Sequence, residues 1–464
     1  MKRKLAVTMV ALFVLALSFA LVPKKANAIP SFAQKYHFSC AVCHTVFPNL
    51  NPFGRAFWRN GFRLPGTNGT PADATQITEG LSLPNPWPIP VMIEGTITYT
   101  HTTNENVSPA TDSFGAGTDI VAGGAYKLYN PFADSMSFYI HYGDSPLKQK
   151  QVVASLNGIG SGFGLSPHLF NLKIGQVDTA NAYFDRQEQF YVTAGPNAGN
   201  IQGLGVGYDG EAAQLIHARN AGFALYGTPG YHLWYKVTVT NDAGPQYSGG
   251  VATTNGIGTA NGGGNTVSNA MEYSYQLKEY APIPMGQLEI GYYGATVAEP
   301  ITVNSASWTN RVMVNGVDVD LANDVYELGL TYMVQSDSNP YVSSGQPLPD
   351  GITDTSNGYS TFEVYGRYIL PVMNNGIMLS ADYGQYSWTH KNSELEFLNG
   401  GGTADNVSLY GGSSLPGTSY NGIKNALDLQ AEINLAYNAH LYLGYTFTNQ
   451  QENDQFGTGL DFAF

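Results

Sequence analysis

From Val91 onward, apolar and polar residues alternate with a period of two. Val91, Ile93, Ile97 and Tyr99 alternate with Met92, Glu94, Thr96 and Thr98, and Tyr326, Leu328, Leu330 and Tyr332 with Glu327 and Thr331. Phe362, Val364, Tyr368 and Leu370 alternate with Glu363 and Arg367, and Leu427, Leu429, Ala431, Ile433 and Leu435 with Asp428, Gln430, Glu432 and Asn434. Side chains along a strand point to opposite faces in turn, so this pattern predicts half-buried β-strands and not helices. About sixteen such segments can be marked between Val91 and Phe464. Two connections in succession, 297–322 and 336–360, are long and break the rhythm, and a further strand is expected around Arg311 to Val319.

Alternation alone fits a soluble β-sandwich as well as a barrel. Tyrosines recur at segment ends, at Tyr99, Tyr129, Tyr235, Tyr332 and Tyr437. Long polar stretches such as 242–267 and 389–424 contrast with tight turns such as Thr228-Pro229-Gly230 and Asn374-Asn375-Gly376. Aromatic girdles and long loops opposite short turns belong to a transmembrane antiparallel β-barrel. The fold expected is therefore all-β: a barrel of about sixteen strands over 91–464, preceded by a small, mainly irregular and helical segment. With apolar residues facing lipid, Glu94, Glu327, Glu363, Arg367, Asp428, Glu432 and Asp461 face the lumen. Together they can draw in a divalent cation; for any one of them, ordinary lumenal solvation is the plainer reading. The final strand, Gly457 to Phe464, ends in a phenylalanine that resembles the C-terminal signature of bacterial outer-membrane barrels.

Before the barrel, Lys2, Arg3 and Lys4 precede an uncharged apolar run, Leu5 to Val22, and then Ala26-Asn27-Ala28. That order predicts a cleaved secretory signal peptide over 1–28; the competing reading is an uncleaved anchor. Its removal takes away five of the 21 basic residues and none of the 35 acidic ones, so the exported chain carries a net charge of −19. Such a chain repels nucleic acid and attracts cations. With Gly 54, Tyr 31, Phe 22 and 12% charged residues, the composition is unlike that of a soluble α/β enzyme.

Residues 29–90 form a segment of their own, bounded by Pro84, Pro86, Pro88 and Pro90. Both cysteines of the chain fall in Cys40-Ala41-Val42-Cys43-His44, which excludes a disulfide framework and matches C-x-x-C-H. In that pattern both thiols form thioethers with the haem vinyl groups and the histidine ligates the iron. A thioredoxin-like redox pair wants a βαβ context, and a zinc site wants more ligands. Downstream, Asn51 and Pro52 start a short helix over Phe53 to Asn60, with Gly61 just past its end. Arg55 and Arg59 then share a face, and with Arg63 they can pair with haem propionates or with acidic residues elsewhere in the chain. Phe53, Phe57 and Trp58 read as packing around the porphyrin. No methionine lies between Ile29 and Val91, and His37 is the other histidine there, a strained candidate for the sixth iron ligand. A Met or His from the barrel, or an open position, are the alternatives.

Ile29-Pro30-Ser31-Phe32-Ala33, Ser39-Cys40-Ala41-Val42-Cys43-His44-Thr45, Leu50-Asn51-Pro52-Phe53-Gly54-Arg55 and Asn60-Gly61-Phe62 together resemble the N-terminal pattern of the fused monohaem cytochrome–porin family of iron-oxidising bacteria. The resemblance implies one covalently attached haem c seated at or inside an outer-membrane barrel. It implies that extracellular Fe(II) is the electron donor, that a periplasmic cytochrome or other carrier is the acceptor, and that the barrel contacts outer-membrane lipid. Iron:cytochrome oxidoreductase activity is then an expectation. Three other readings compete: an outward electron conduit, a diffusion porin whose haem segment plugs the pore, and a peroxidase-like enzyme.

Overall fold

The computed structural model describes residues 32, 35–36, 38–46, 49–64, 74–78, 81–84, 91–102, 111–128, 132–143, 151–178, 219–241, 266–267, 271–303, 306–338, 357–370, 376–390, 425–436, 439–448 and 454–463. The export signal expected over 1–28, His37, Tyr129, Tyr437 and Phe464 lie outside the described residues.

The period-two segments form strands, and the strands close on themselves. Three short elements come first: β1 (His44–Val46) pairs with β2 (Asn49–Leu50), and α1 (Pro52–Arg59) follows. A small hairpin of β3 (Ala74–Thr78) and β4 (Leu81–Pro84) precedes the barrel. The barrel opens with β5 (Val91–Thr102), β6 (Thr111–Lys127), β7 (Ser135–Gly143), β8 (Gln151–Asn157), β9 (Asn171–Asp178), β10 (Arg219–Gly227) and β11 (Leu233–Asn241). The two residues of β12 (Thr266–Val267) lead into β13 (Met271–Ile283), β14 (Gly286–Val303), β15 (Ala306–Ala322), β16 (Tyr326–Asp337) and β17 (Asn357–Leu370). It ends with β18 (Ile377–His390), β19 (Asn425–Ala436), β20 (Ala439–Thr448) and β21 (Gln455–Ala463).

All neighbours pair antiparallel, and β21 pairs with β5, so the sheet has no free edge. Because β13 pairs directly with β11 while β12 only extends the sheet against β14, sixteen strands span the wall. The strand expected near Arg311 to Val319 is β15, and the supposed long connection 297–322 is the β14–β15 hairpin itself.

The wall keeps the alternation in three dimensions. On β13, Met271, Tyr273, Tyr275 and Leu277 are exposed while Glu272, Ser274, Gln276 and Lys278 are buried. Val91, Ile93 and Ile97 are about half exposed on the outside, as are Leu328, Val364, Tyr368 and Leu429. Glu94, Glu327, Glu363, Arg367, Asp428, Glu432 and Asp461 are all buried on the inside, as their positions predict. An even-stranded closed barrel, apolar outside and polar inside, is the architecture of an outer-membrane β-barrel. At one end the connections are tight, with 284–285, 323–325 and 437–438 as the shortest. The opposite end carries 179–218, 242–265 and 391–424 between strands. Short turns face the periplasm in such barrels and long loops face outward.

Candidate functional site

Residues 49–64 lie within the tight-turn half of the lumen and act as a plug. The local sequence explains the shape of that plug. Asn51 caps α1 by accepting a hydrogen bond from Gly54 N at 2.9 Å, and Pro52 occupies the first turn, where a missing N–H costs nothing. The same Asn51 side chain donates to Ala41 O (3.3 Å) and Val42 O (3.1 Å), and its backbone N–H donates to Cys43 O (2.9 Å). One residue therefore ties the helix start to the Cys40–Val42 turn. Gly61, just past the helix as expected, has φ +66°, which glycine adopts without strain.

Gly54 makes the closest approach. A Cβ there would stand 2.0 Å from Cys43 O and 3.0 Å from Leu50 Cδ2, so the helix lies directly on the cysteine turn only because position 54 has no side chain. Replacing Gly54 by alanine should push α1 off that turn, and Asn51→Ala should remove the cap at a cost of about 0.5–2 kcal/mol. Limited proteolysis of the folded protein in detergent should then cut the N-terminal segment faster in both variants. Unchanged cleavage would show that the packing tolerates the shift.

Three sets of contacts hold the plug across the lumen. On one side, Arg55 pairs with Asp320 (2.9 Å), Glu327 (3.0 Å) and Glu289 (3.5 Å), and Arg59 pairs with Glu289 at 2.9 Å. Arg55 and Arg59 do share a helix face, and both turn it to carboxylates of β14, β15 and β16; the Arg59 guanidinium also lies 5.3 Å from the centre of the Trp234 ring. On the opposite side, Phe57, Trp58, Phe62 and Leu50 pack with Met92, Val121, Ala125, Tyr139 and Val153 of β5 to β8. These five wall residues point inward yet are not polar, except for the Tyr139 hydroxyl, because the plug and not water covers them.

The third set lies at the tight turns. Arg63 donates to Pro167 O (2.8 Å), Asn171 Oδ1 (2.8 Å) and Asn60 O (2.9 Å), and His168 Nδ1 lies 3.0 Å from Asn60 Oδ1. Burial raises the Asp134 carboxyl above the usual carboxylate range, and nearby Arg63 and Lys127 pull it back.

Cys40 sits in a 3-10 turn closed by Val42 N donating to Ser39 O at 3.1 Å, Cys43 is partly buried, and partly buried His44 begins β1. Tyr36, Phe38 and Phe53 form a ring set beside the plug, with Tyr36–Phe38 centroids 5.6 Å apart and Phe38–Phe53 5.8 Å apart. Of the rings expected to pack around a porphyrin, Phe57 and Trp58 pack toward the barrel wall and Phe53 packs on Phe38. Alternation along the strands placed Glu94 and Glu327 in the lumen but gave no sign of Glu289, Asp320, Asp119 and His141 on the wall side of the site. Thirteen buried carboxylates belong to the barrel among the described residues, against three buried basic side chains of the wall, Lys236, Lys278 and Arg367. The plug arginines offset part of that imbalance.

No protein-family model matches the chain, and no curated protein does. Among solved structures, Salmonella typhi OmpF in complex with daunomycin is similar at TM-score 0.47 and 12% identity, covering 81% of this chain and 98% of its own. The outer-membrane channel DcaP of Acinetobacter baumannii reaches TM-score 0.47 and 10% identity over 81% and 96%. A loop-deletion mutant of OmpT, an outer membrane protein of Vibrio cholerae, reaches TM-score 0.44 and 10% identity over 81% and 99%.

Proposed function

We propose that the chain is an exported outer-membrane cytochrome–porin that takes electrons from extracellular Fe(II) through one c-type haem and passes them to a periplasmic electron carrier. The observation that carries this reading is the joining of a C-x-x-C-H motif to a segment seated inside a closed transmembrane barrel. Cys40 and Cys43 would hold the haem covalently and His44 would ligate its iron. The group fits these residues: the two thiol positions flank a single turn, the imidazole follows at once, and Asn51 and Gly54 fix the backbone beneath. A bound haem supplies a one-electron carrier whose potential depends on its axial ligands and surroundings. The chain's own part is to seat that carrier near the periplasmic mouth, to exclude water from it with the rings of Tyr36, Phe38 and Phe53, and to line the approach with carboxylates that attract cations. Arg55 and Arg59 serve this reading by anchoring the segment to Glu289, Asp320 and Glu327.

The mature protein purified in detergent and mixed anaerobically with Fe(II) should develop the absorbance bands of a reduced c-type haem within the mixing experiment. A spectrum that stays oxidised with Fe(II), yet is reduced by dithionite, would reject Fe(II) as the donor. A second reading, a diffusion porin plugged by this segment, is favoured by the seating of residues 49–64 across the lumen. It expects removal of the segment to raise solute flux and loss of haem to leave function intact.

A further inference from the structure

On the inner wall just above the plug, three ligand-type side chains converge from three adjacent strands. Glu94 of β5 stands directly opposite Asp119 of β6 in the pairing register, and His141 of β7 stands opposite Val121, two residues along β6. His141 Nε2 lies 2.9 Å from Asp119 Oδ2, and one ligand atom from each of the three falls within 4.8 Å of the others. All three are buried, at 2%, 1% and 6% exposure. Gly143 belongs to the same arrangement. A Cβ there would stand 1.9 Å from Asp119 Oδ1, so the glycine leaves the volume that this carboxylate occupies beside His141.

We propose that Glu94, Asp119 and His141 form a divalent transition-metal site of the lumen, at which Fe(II) is held while it gives up its electron. The first half of this proposal stands on geometry; the second rests on the function proposed above. Two carboxylates and one imidazole suit Mn(II), Fe(II), Co(II) or Zn(II), whereas Mg(II) and Ca(II) prefer oxygen alone.

The placement suits an electron donor. One inward position closer to the tight-turn end, the same three strands present Met92, Val121 and Tyr139, which pack on Phe57, Trp58 and Phe62 of the plug. The Tyr139 ring lies 6.4 Å from the His141 ring and 5.0 Å from that of Trp58, centre to centre. An Fe(II) ion held there would lose one electron to become Fe(III), and a haem held at Cys40, Cys43 and His44 would accept that electron, one for one. No covalent bond of the protein breaks in the electron transfer, and release of the Fe(III) formed would break only its coordination to Glu94, Asp119 and His141, water taking their places.

Mn(II) is the probe for binding, because it is visible by electron paramagnetic resonance. The mature wild-type protein in detergent should remove one Mn(II) per chain from the free six-line signal, and the bound ion should show coupling to an imidazole nitrogen. His141→Ala should abolish the nitrogen coupling, and it and Asp119→Asn should each weaken binding by at least ~10-fold, since losing even an outer-shell partner of a ligand costs ~10–100-fold. Asp318→Asn, on β15 across the barrel from β6, should leave both unchanged, and heat-modifiable gel migration should show that each variant is a folded barrel. Equal binding in all variants, or bound Mn(II) without nitrogen coupling, overturns the site.

A separate arm follows haem reduction at limiting Fe(II). His141→Ala should slow it at least about tenfold while dithionite reduction is unchanged. Should wild-type binding meet these expectations and Fe(II) fail to reduce the haem, the metal site stands and the functional reading falls. A His141→Ala rate equal to wild type would instead overturn the role of the site in electron entry.

Discussion

Arg55→Met should lower the thermal stability of the folded protein and loosen its N-terminal segment. Arg55 is fully buried between Glu289, Asp320 and Glu327, whose side chains come from three consecutive strands. Methionine keeps the length of the side chain and removes the charge, leaving three carboxylates in the wall with less compensation. Removing one partner of a buried ion pair costs ~3–5 kcal/mol, because the desolvated charges stay behind. Arg59 reaches Glu289 and takes up part of the loss, so Arg55→Met with Arg59→Met should be worse than either alone. Heat-modifiable gel migration gives the transition temperature, and protease cleavage within 29–64 reports the plug. A combined variant, Arg55→Met with Glu327→Gln and Asp320→Asn, should recover much of the loss, since the unmatched charges go as well. A single substitution with no effect on either readout would show that these pairs do not hold the plug.

His44→Ala should abolish Fe(II)-dependent appearance of reduced c-type bands while the barrel stays folded. His44 begins β1, whose partner β2 leads through Asn51 into α1, so its truncation touches neither the arginine pairs nor the aromatic contacts with the wall. Heat-modifiable migration should therefore match that of wild type. The thioether bonds run to the sulfurs of Cys40 and Cys43 alone, so haem attached to the variant should stay with the chain on a denaturing gel and show an altered spectrum in the folded protein. His44→Ala with a normal spectrum and normal reduction by Fe(II) would exclude His44 as the iron ligand.

How much of this was legible in the chain differs between wall and plug. Alternation along single strands was enough to place Glu94, Glu327, Glu363, Arg367, Asp428, Glu432 and Asp461 inside, because the side-chain period of a strand is fixed by its pleat. Asn51, Pro52 and Gly61 marked the short helix for an equally local reason. Contacts between distant segments were not legible. Arg55 meets Asp320 and Glu327 across 265 and 272 residues, and no local pattern announces such a pairing. Met92, Val121 and Tyr139 also hide in the pattern, since an apolar residue at an inward position looks like noise until the helix that covers it is known. Asp119 and His141 sit in strands whose register emerges only when the sheet is assembled; pairing Val91–Thr102 against Thr111–Lys127 residue by residue would have set Glu94 opposite Asp119.

The apolar patch inside the wall bears on the order of assembly. Strands β5 to β8 carry inward surface that water would have to cover in an empty lumen, and α1 carries arginines whose partners come more than two hundred residues later. The segment that carries Arg55 and Arg59 thus waits for β14, β15 and β16 before its partners exist. Contacts of such long sequence separation form slowly. Any chemistry at Cys40 and Cys43 has that interval in which to be finished, for once β14, β15 and β16 close around Arg55 the segment and the wall share one core and unfold together.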